Sequence, residues 1–169
     1  MKPVKTIEDT IHQTRPIESL QTEVLLTLVR TVDRVTEHAV GPLASLSTPQ
    51  YNVLRILRGS REGLQTQQVC ERLVSRAPNI TRLVDKLESK GLLTRERSRG
   101  DRRVVLLKIT EQGLALLEGL DAPVKLATKE AMRGLDTEQL KQLCHLLNLL
   151  RHPLEEDLRE SYEKKNTLN

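Results

Sequence analysis

Residues 75–110 read SRAPNITRLVDKLESKGLLTRERSRGDRRVVLLKIT, and this stretch decides the fold. Its first half has a helical period. At about 100° per residue, Ile80, Leu83, Val84 and Leu87 fall on one arc. Pro78, Thr81, Arg82, Asp85 and Lys86 fall opposite, with Ser75 and Asn79 at the margin. The spacing predicts a helix from Ala77 to Lys90, because Pro78 fits a first turn and Gly91 stops it. The second half changes period. Leu93–Arg97 and Val104–Ile109 read as two short strands, joined by the tip Ser98-Arg99-Gly100-Asp101-Arg102-Arg103.

Upstream, Ile17, Leu20, Val24, Leu28, Val32 and Val35 recur at spacings of three and four, which marks an apolar helical stripe ended by Gly41-Pro42. The next helix starts at Ser47-Thr48-Pro49. Thr48 as N-cap would put Pro49 at the first helical position, whereas Ser47 as N-cap would make a capping box with Gln50. Val53, Leu54 and Leu57 face inward, and Gly59 ends the helix. A short helix follows over Thr66–Leu73, with Leu64, Val69 and Leu73 apolar, then the turn Val74-Ser75-Arg76.

Downstream, Thr110 caps a helix reaching about Arg133, with a bend expected at Pro123. Asp136 and Gln139 form a second capping-box pattern. The last helix carries Leu140, Leu143, Leu147, Leu150, Leu154 and Leu158, with a kink or break expected at Pro153. Met1–Thr14 is polar and expected to be loose.

The fold class is therefore mainly α: a winged helix-turn-helix with a two-stranded β-hairpin wing, flanked by long N- and C-terminal helices. The expected organisation is a flexible segment over 1–16, an N-terminal dimerisation helix over 17–46, the winged lobe over 47–110 and C-terminal dimerisation helices over 111–169. Dimerisation is expected because the first and last stripes are too long for one small lobe to cover. With no Phe, no Trp and only Tyr51 and Tyr162 as aromatics, Leu, Ile and Val must supply the core.

The net charge of +4 is modest, but its placement is not. Arg76–Arg103 holds nine basic and four acidic residues, and the rest of the chain 18 basic and 19 acidic. The whole positive excess sits in the helix and hairpin, the footprint of a polyanion binder. Ser75, Arg76, Pro78, Asn79, Thr81, Arg82 and Lys86 give the helix a short, polar, cationic outward surface suited to a major groove, where Arg pairs with guanine and Asn with adenine. A narrow ribbon cannot bury Arg95, Arg97, Arg99, Arg102 and Arg103 together, so most must face solvent or an anion, such as the minor groove. Asp101 would repel DNA unless paired locally. It is read as the wing organiser, paired with Arg103 or Arg102, which leaves Arg99 and Arg102 as the expected minor-groove pair.

Gln50–Leu54 (QYNVL), Thr81–Leu93 (TRLVDKLESKGLL), Asp101-Arg102-Arg103 and Leu107–Gly113 (LKITEQG) resemble the multiple-antibiotic-resistance regulator (MarR) family, over about Ile17 to Leu150. The resemblance implies a homodimeric winged-helix regulator of palindromic operators, with the first, fifth and sixth helices (counted from Ile17) forming the dimer interface. It implies that Arg82 and its neighbours sit in the major groove and the Asp101–Arg103 tip at the minor groove. Most members are repressors released by a small ligand or by oxidation. Tyr51 is the aromatic near the ligand cleft implied between lobe and dimer helices.

Other chemistry finds little footing. There is no Gly-rich phosphate loop, HExxH or GxSxG, so no enzyme is expected. Cys70 and Cys144 lack metal or disulfide spacing. Cys70, beside Val69 and Leu73, is expected to be a core thiol, and Cys144 to pack in a core or interface. His12, His38, His145 and His152 would need the fold to gather them, so neither a metal nor a cofactor is expected. No apolar run approaches a membrane span and Met1–Thr14 lacks a signal-peptide core, so the expected location is cytoplasmic, without a membrane partner. The expected partners are double-stranded DNA, a second copy and a small effector. The competing reading is a protein-interaction module whose basic wing binds an acidic partner, or DNA without sequence preference.

Overall fold

The computed structural model of the chain describes residues 5–43, 46–75, 79–98, 100–101 and 103–167. Its elements run α1 (Ile7–Ile11), α2 (Leu20–Val40), a 3-10 turn (Gly41–Leu43), α3 (Thr48–Arg58), α4 (Thr66–Arg72), α5 (Ile80–Ser89), β1 (Leu93–Arg97), β2 (Val105–Ile109), α6 (Glu111–Ala131) and α7 (Thr137–Thr167). This is the mainly helical winged architecture that the sequence predicts. The contacts divide the chain into two units, Met1–Ala131 and Met132–Asn169.

Within the first unit, local chemistry sets the element ends. Ser47 is the N-cap of α3: Gln50 N–H donates to Ser47 Oγ (3.4 Å) and Ser47 N–H to Gln50 Oε1 (3.0 Å). The capping box therefore prevails over the Thr48 alternative, because it satisfies two backbone donors where Thr48 would satisfy one. Ser19 caps α2 by accepting from Thr22 N–H. α1 lies inside the segment expected to be loose. Thr6 and Asp9 cap it reciprocally, Ile7 is buried, and Glu8 Oε1 accepts the Ile17 N–H at 2.8 Å. Polar caps, not an apolar face, make this turn.

The core gathers Val53, Leu54 and Leu57 of α3, Val69 of α4, Val84 and Leu87 of α5, Leu92, Leu93 and Leu107 of the wing base, and Leu117 of α6. Fully burying such a side chain contributes roughly 1.5–3 kcal/mol, so aliphatic residues suffice without Phe or Trp. β1 and β2 pair antiparallel, with Leu93 opposite Ile109 and Arg97 opposite Val105. Leu64 adds a bridge to the sheet, exchanging both backbone hydrogen bonds with Leu107 (3.0 and 2.8 Å).

α6 docks at its first turn. Thr110 Oγ1 donates to Gly91 O (2.6 Å) and accepts from Gly113 N–H (3.1 Å), so one side chain caps α6 and fastens it to the end of α5. A Cβ at Gly113 would lie 2.3 Å from Leu92 O, so the approach requires glycine. α6 continues through Pro123. Arg58 of α3 ties to it by a two-pronged ion pair with Asp121 (3.0 and 2.8 Å).

In the second unit, Asp136 and Gln139 exchange capping-box bonds, both at 2.9 Å, as their spacing predicts. α7 then runs unbroken through Pro153, where a kink or break is expected. A proline removes one helical hydrogen bond, and a helix this long keeps the turns on both sides. Among the described residues no helix is long and apolar enough to cross a membrane.

Both cysteines are exposed. For Cys70 this corrects the expectation of a core thiol. Val69 takes the fully buried position of α4, and the next residue turns about 100° away from it.

Candidate nucleic-acid interface

The outward face of α5 follows from its burial pattern. Val84 and Leu87 are buried and Ile80 and Leu83 half-buried, which leaves Thr81, Arg82, Asp85 and Lys86 exposed, with Asn79 as N-cap. Among the described residues, no hydrogen bond or ion pair engages the Arg82 guanidinium or the Lys86 ammonium, and both side chains are exposed. Ser75 is exposed just upstream, while Arg76 and Pro78 lie outside the described residues.

Gly91 sets how the chain leaves this helix. Its φ of +69° is left-handed, and the turn closes with Gly91 N–H donating to Glu88 O and Leu92 N–H to Leu87 O. β1 therefore starts against the end of α5. Leu93 is buried, and side chains two apart on a strand share a face, so Arg95 points back toward α5. Its guanidinium bonds both carboxylates that α5 presents there, with Nη2 2.5 Å from Asp85 Oδ1 and Nη1 on Glu88 Oε2. The hydrogen bond to Asp85, helped by the Glu88 charge and opposed by burial, holds Arg95 above the ordinary arginine value.

Arg97 and Arg103 are exposed. Arg97 lines an open groove with Glu62, Glu96, Ser98, Gly100, Leu106 and Lys108, in which Lys108 Nζ is 3.0 Å from Glu96. Asp101 does not reach a guanidinium among the described residues. Its Oδ1 accepts the Arg103 backbone N–H (2.9 Å), while its carbonyl accepts Val104 N–H (3.0 Å). The carboxylate is thus spent on closing the turn. Arg99 and Arg102 lie outside the described residues.

Tyr51 is half-buried and packs against the lobe core. On α2, Arg30 Nε is buried with no hydrogen-bond partner among the described residues.

Two features escape sequence reasoning. Asp85 and Glu88 are three apart and so share a face, a signal that they can grip one cation. Nothing in the sequence says which of the nearby arginines they hold. The Thr110–Gly91 bond has no sequence signal at all, since a capping threonine need not reach a second element.

An outward cationic helix face beside an arginine-bearing hairpin on a helix-turn-helix scaffold is the architecture of a winged-helix DNA-binding protein. A family model described as MarR family matches residues 44–104. A MarR transcription factor from Planctomyces limnophilus is 38% identical, with 79% of this chain and 99% of that chain covered and a TM-score of 0.60. CouR from Rhodococcus jostii RHA1, solved bound to p-coumaroyl-CoA, is 26% identical over 81% of this chain and 97% of its own, with a TM-score of 0.68. BpsR from Bordetella bronchiseptica, whose DNA binding is regulated by 6-hydroxynicotinic acid, shares the fold at 21% identity and a TM-score of 0.71, with 80% and 97% covered. The chain belongs to the MarR family, whose members are transcription regulators and not enzymes.

Proposed function

We propose that this protein is a homodimeric, sequence-specific repressor that binds a palindromic DNA operator and is released by a small effector. The observation that carries the reading is the pair of exposed cations, Arg82 and Lys86, which have no side-chain partner among the described residues, on the outward face of α5 beside the wing. In this reading Ser75, Arg76, Pro78, Asn79, Thr81, Arg82 and Lys86 enter the major groove. Arg97, Arg99, Arg102 and Arg103 serve the wing's contact with the minor groove and its phosphates, and Asp101 shapes the tip. The winged lobe spans 47–110; segment 17–46 and the helices of 111–169 carry dimerisation.

Support for the dimer comes from exposed aliphatic faces. Leu25, Val29 and Val32 on α2, and Leu146, Leu149 and Leu154 on α7, are exposed in the single chain. Patches of this kind mark interaction surfaces. A two-fold dimer would place two α5 helices in successive major grooves, about 34 Å or roughly 10 base pairs apart. The effector reading rests on the two relatives regulated by or bound to aromatic acids or their thioesters. Tyr51 is the residue proposed to face such a ligand. No membrane partner, metal or cofactor enters the reading, and the proposed location is the cytoplasm.

The test is selection of bound duplexes from a random pool. A two-fold consensus with that spacing is expected, and binding should lose about 10³-fold or more between 50 and 200 mM salt if six to ten phosphates are contacted. Arg82→Ala should cost roughly 1–3 kcal/mol and relax the preference at one position of each half-site, whereas Arg99→Ala should weaken all sequences alike. A pool with no consensus would instead favour the interaction-module reading.

A further inference from the structure

The wing is a thin element. Each strand has five residues, and on β1 only Leu93 is buried. A two-stranded ribbon has little resistance to twisting by itself. Its base is well held, by Leu93 and Leu107 in the core and by the Leu64 bridge. Farther toward the tip, Arg95 is the β1 side chain that an ion pair ties to α5 among the described residues. It grips two carboxylates one helical turn apart, so two separated points on α5 fix the guanidinium plane.

The same contact has an electrostatic consequence. Asp85 and Glu88 are the two acidic residues of α5, and Asp85 stands beside Lys86 and one turn from Arg82. Left alone, these carboxylates would repel a phosphate backbone. Arg95 sets one positive charge between them.

We infer that Arg95 is a positioning residue, whose bonds to Asp85 and Glu88 lock the wing to the recognition helix so that both present to DNA as one rigid reading head. This rests on the DNA-binding function proposed above and deepens it. It also gives Arg95 a role different from that of the tip arginines. They touch DNA, while Arg95 sets where they touch it. The surplus of guanidinium groups on one hairpin is then a division of labour.

The experiment is a double-mutant cycle on a duplex selected from a random pool by the wild-type chain. Arg95→Ala is measured alone and in a background carrying Arg99→Ala, Arg102→Ala and Arg103→Ala, with hydroxyl-radical footprints for each. In the wild-type background the expected loss of affinity is roughly 5- to 50-fold, with protection lost at the wing's minor groove and kept at the major groove. In the wing-alanine background the further loss should be under about twofold, because there is no longer a wing contact to position. Arg95→Lys should recover part of the affinity, and Arg95→Gln less. Circular dichroism and melting of every variant check that the lobe is folded.

Equal losses in both backgrounds would overturn the inference, since Arg95 would then act on DNA directly or through α5 alone. No loss from Arg95→Ala in the wild-type background would overturn it as well. If the wing-alanine background itself binds like wild type, the failure belongs to the proposed wing contact and not to the positioning role. If Arg95→Ala fails to fold, the comparison passes to Asp85→Asn with Glu88→Gln. Those changes free Arg95 while leaving its charge. Loss of the wing footprint is expected there; an unchanged wing footprint would overturn the inference, whatever the removal of two negative charges does to affinity.

Discussion

In the winged lobe, Val53, Leu54, Leu57, Val69 and Leu107 have no exposed surface, while on α2 and α7, Leu25, Val29, Val32, Leu146 and Leu149 expose 59–62% of theirs. The residue types are the same, so the difference is one of partners. The lobe closes its aliphatic surface with its own α3, α4, α5 and wing base. The long helices present aliphatic stripes that this chain leaves open. The lobe should therefore depend on its own packing, and the function of the helices on what covers them.

The largest expected effect tests that contrast at the helices. Val29→Glu with Val32→Glu should leave the helical content of the chain intact and convert a dimer to a monomer in sedimentation. Operator affinity should then fall by about 10²- to 10⁴-fold, the usual loss when a second linked contact is removed. Loss of folded structure in the monomer would show that α2 packs its own unit through those residues. In the lobe, Leu54→Ala should cost roughly 2–5 kcal/mol. Its Tm shift should be the same at every protein concentration, whereas the shift caused by an α2 face variant should grow as concentration rises and stabilises a dimeric wild type.

The junction between lobe and helices comes next. Gly113→Ala forces a Cβ toward Leu92 O at 2.3 Å, and backbone cannot swing away as a side-chain tip can. The expected destabilisation is about 1–3 kcal/mol, read as a lower denaturation midpoint. Thr110→Val removes both the cap of α6 and the bond to Gly91 O, for about 1–2 kcal/mol. A loss as large as that of Leu54→Ala would place the weak point of the lobe at this junction and not in its core.

Local patterns carried most of the fold. The arc of Ile80, Leu83, Val84 and Leu87, the stop at Gly91, the Asp136–Gln139 box and the period change at Leu93 all lie within a few residues of what they determine. Features that depend on distant partners leave a weaker local signal. Leu64 reads as an apolar neighbour of a helix, yet it bridges to Leu107, which lies far along the chain. Pro123 reads as a bend and Pro153 as a kink or break, because local rules penalise proline inside a helix; α6 continues through Pro123 as read, and α7 is not broken at Pro153. Cys70 shows the limit of resolution: Val69 and Cys70 are adjacent in sequence, and only packing decided which one faces in. At the interface, the outward arc of α5 was legible, but the distribution of arginines between DNA and the protein's own carboxylates was not, because strand register and helix exit together choose Arg95.

The smallest expected effect lies at the Arg58–Asp121 pair, where the lobe core meets α6. Both Arg58 nitrogen–oxygen distances, 3.0 and 2.8 Å, are those of a good charge-assisted contact, and the bond to Asp121 holds Arg58 above the ordinary arginine value. Yet the side chains are 34% and 49% exposed, so water competes for both charges. Such pairs contribute roughly 0.2–1 kcal/mol. Arg58→Met, which keeps the aliphatic stem, should therefore lower Tm by no more than about 2–4 °C, and the difference from wild type should shrink in about 1 M salt, where screening acts within about 3 Å. A loss above about 2 kcal/mol that persists in salt would mean that the α3–α6 contact is packed through the Arg58 stem. The boundary between the self-closed lobe and the open helices would then extend at least to Asp121 on α6.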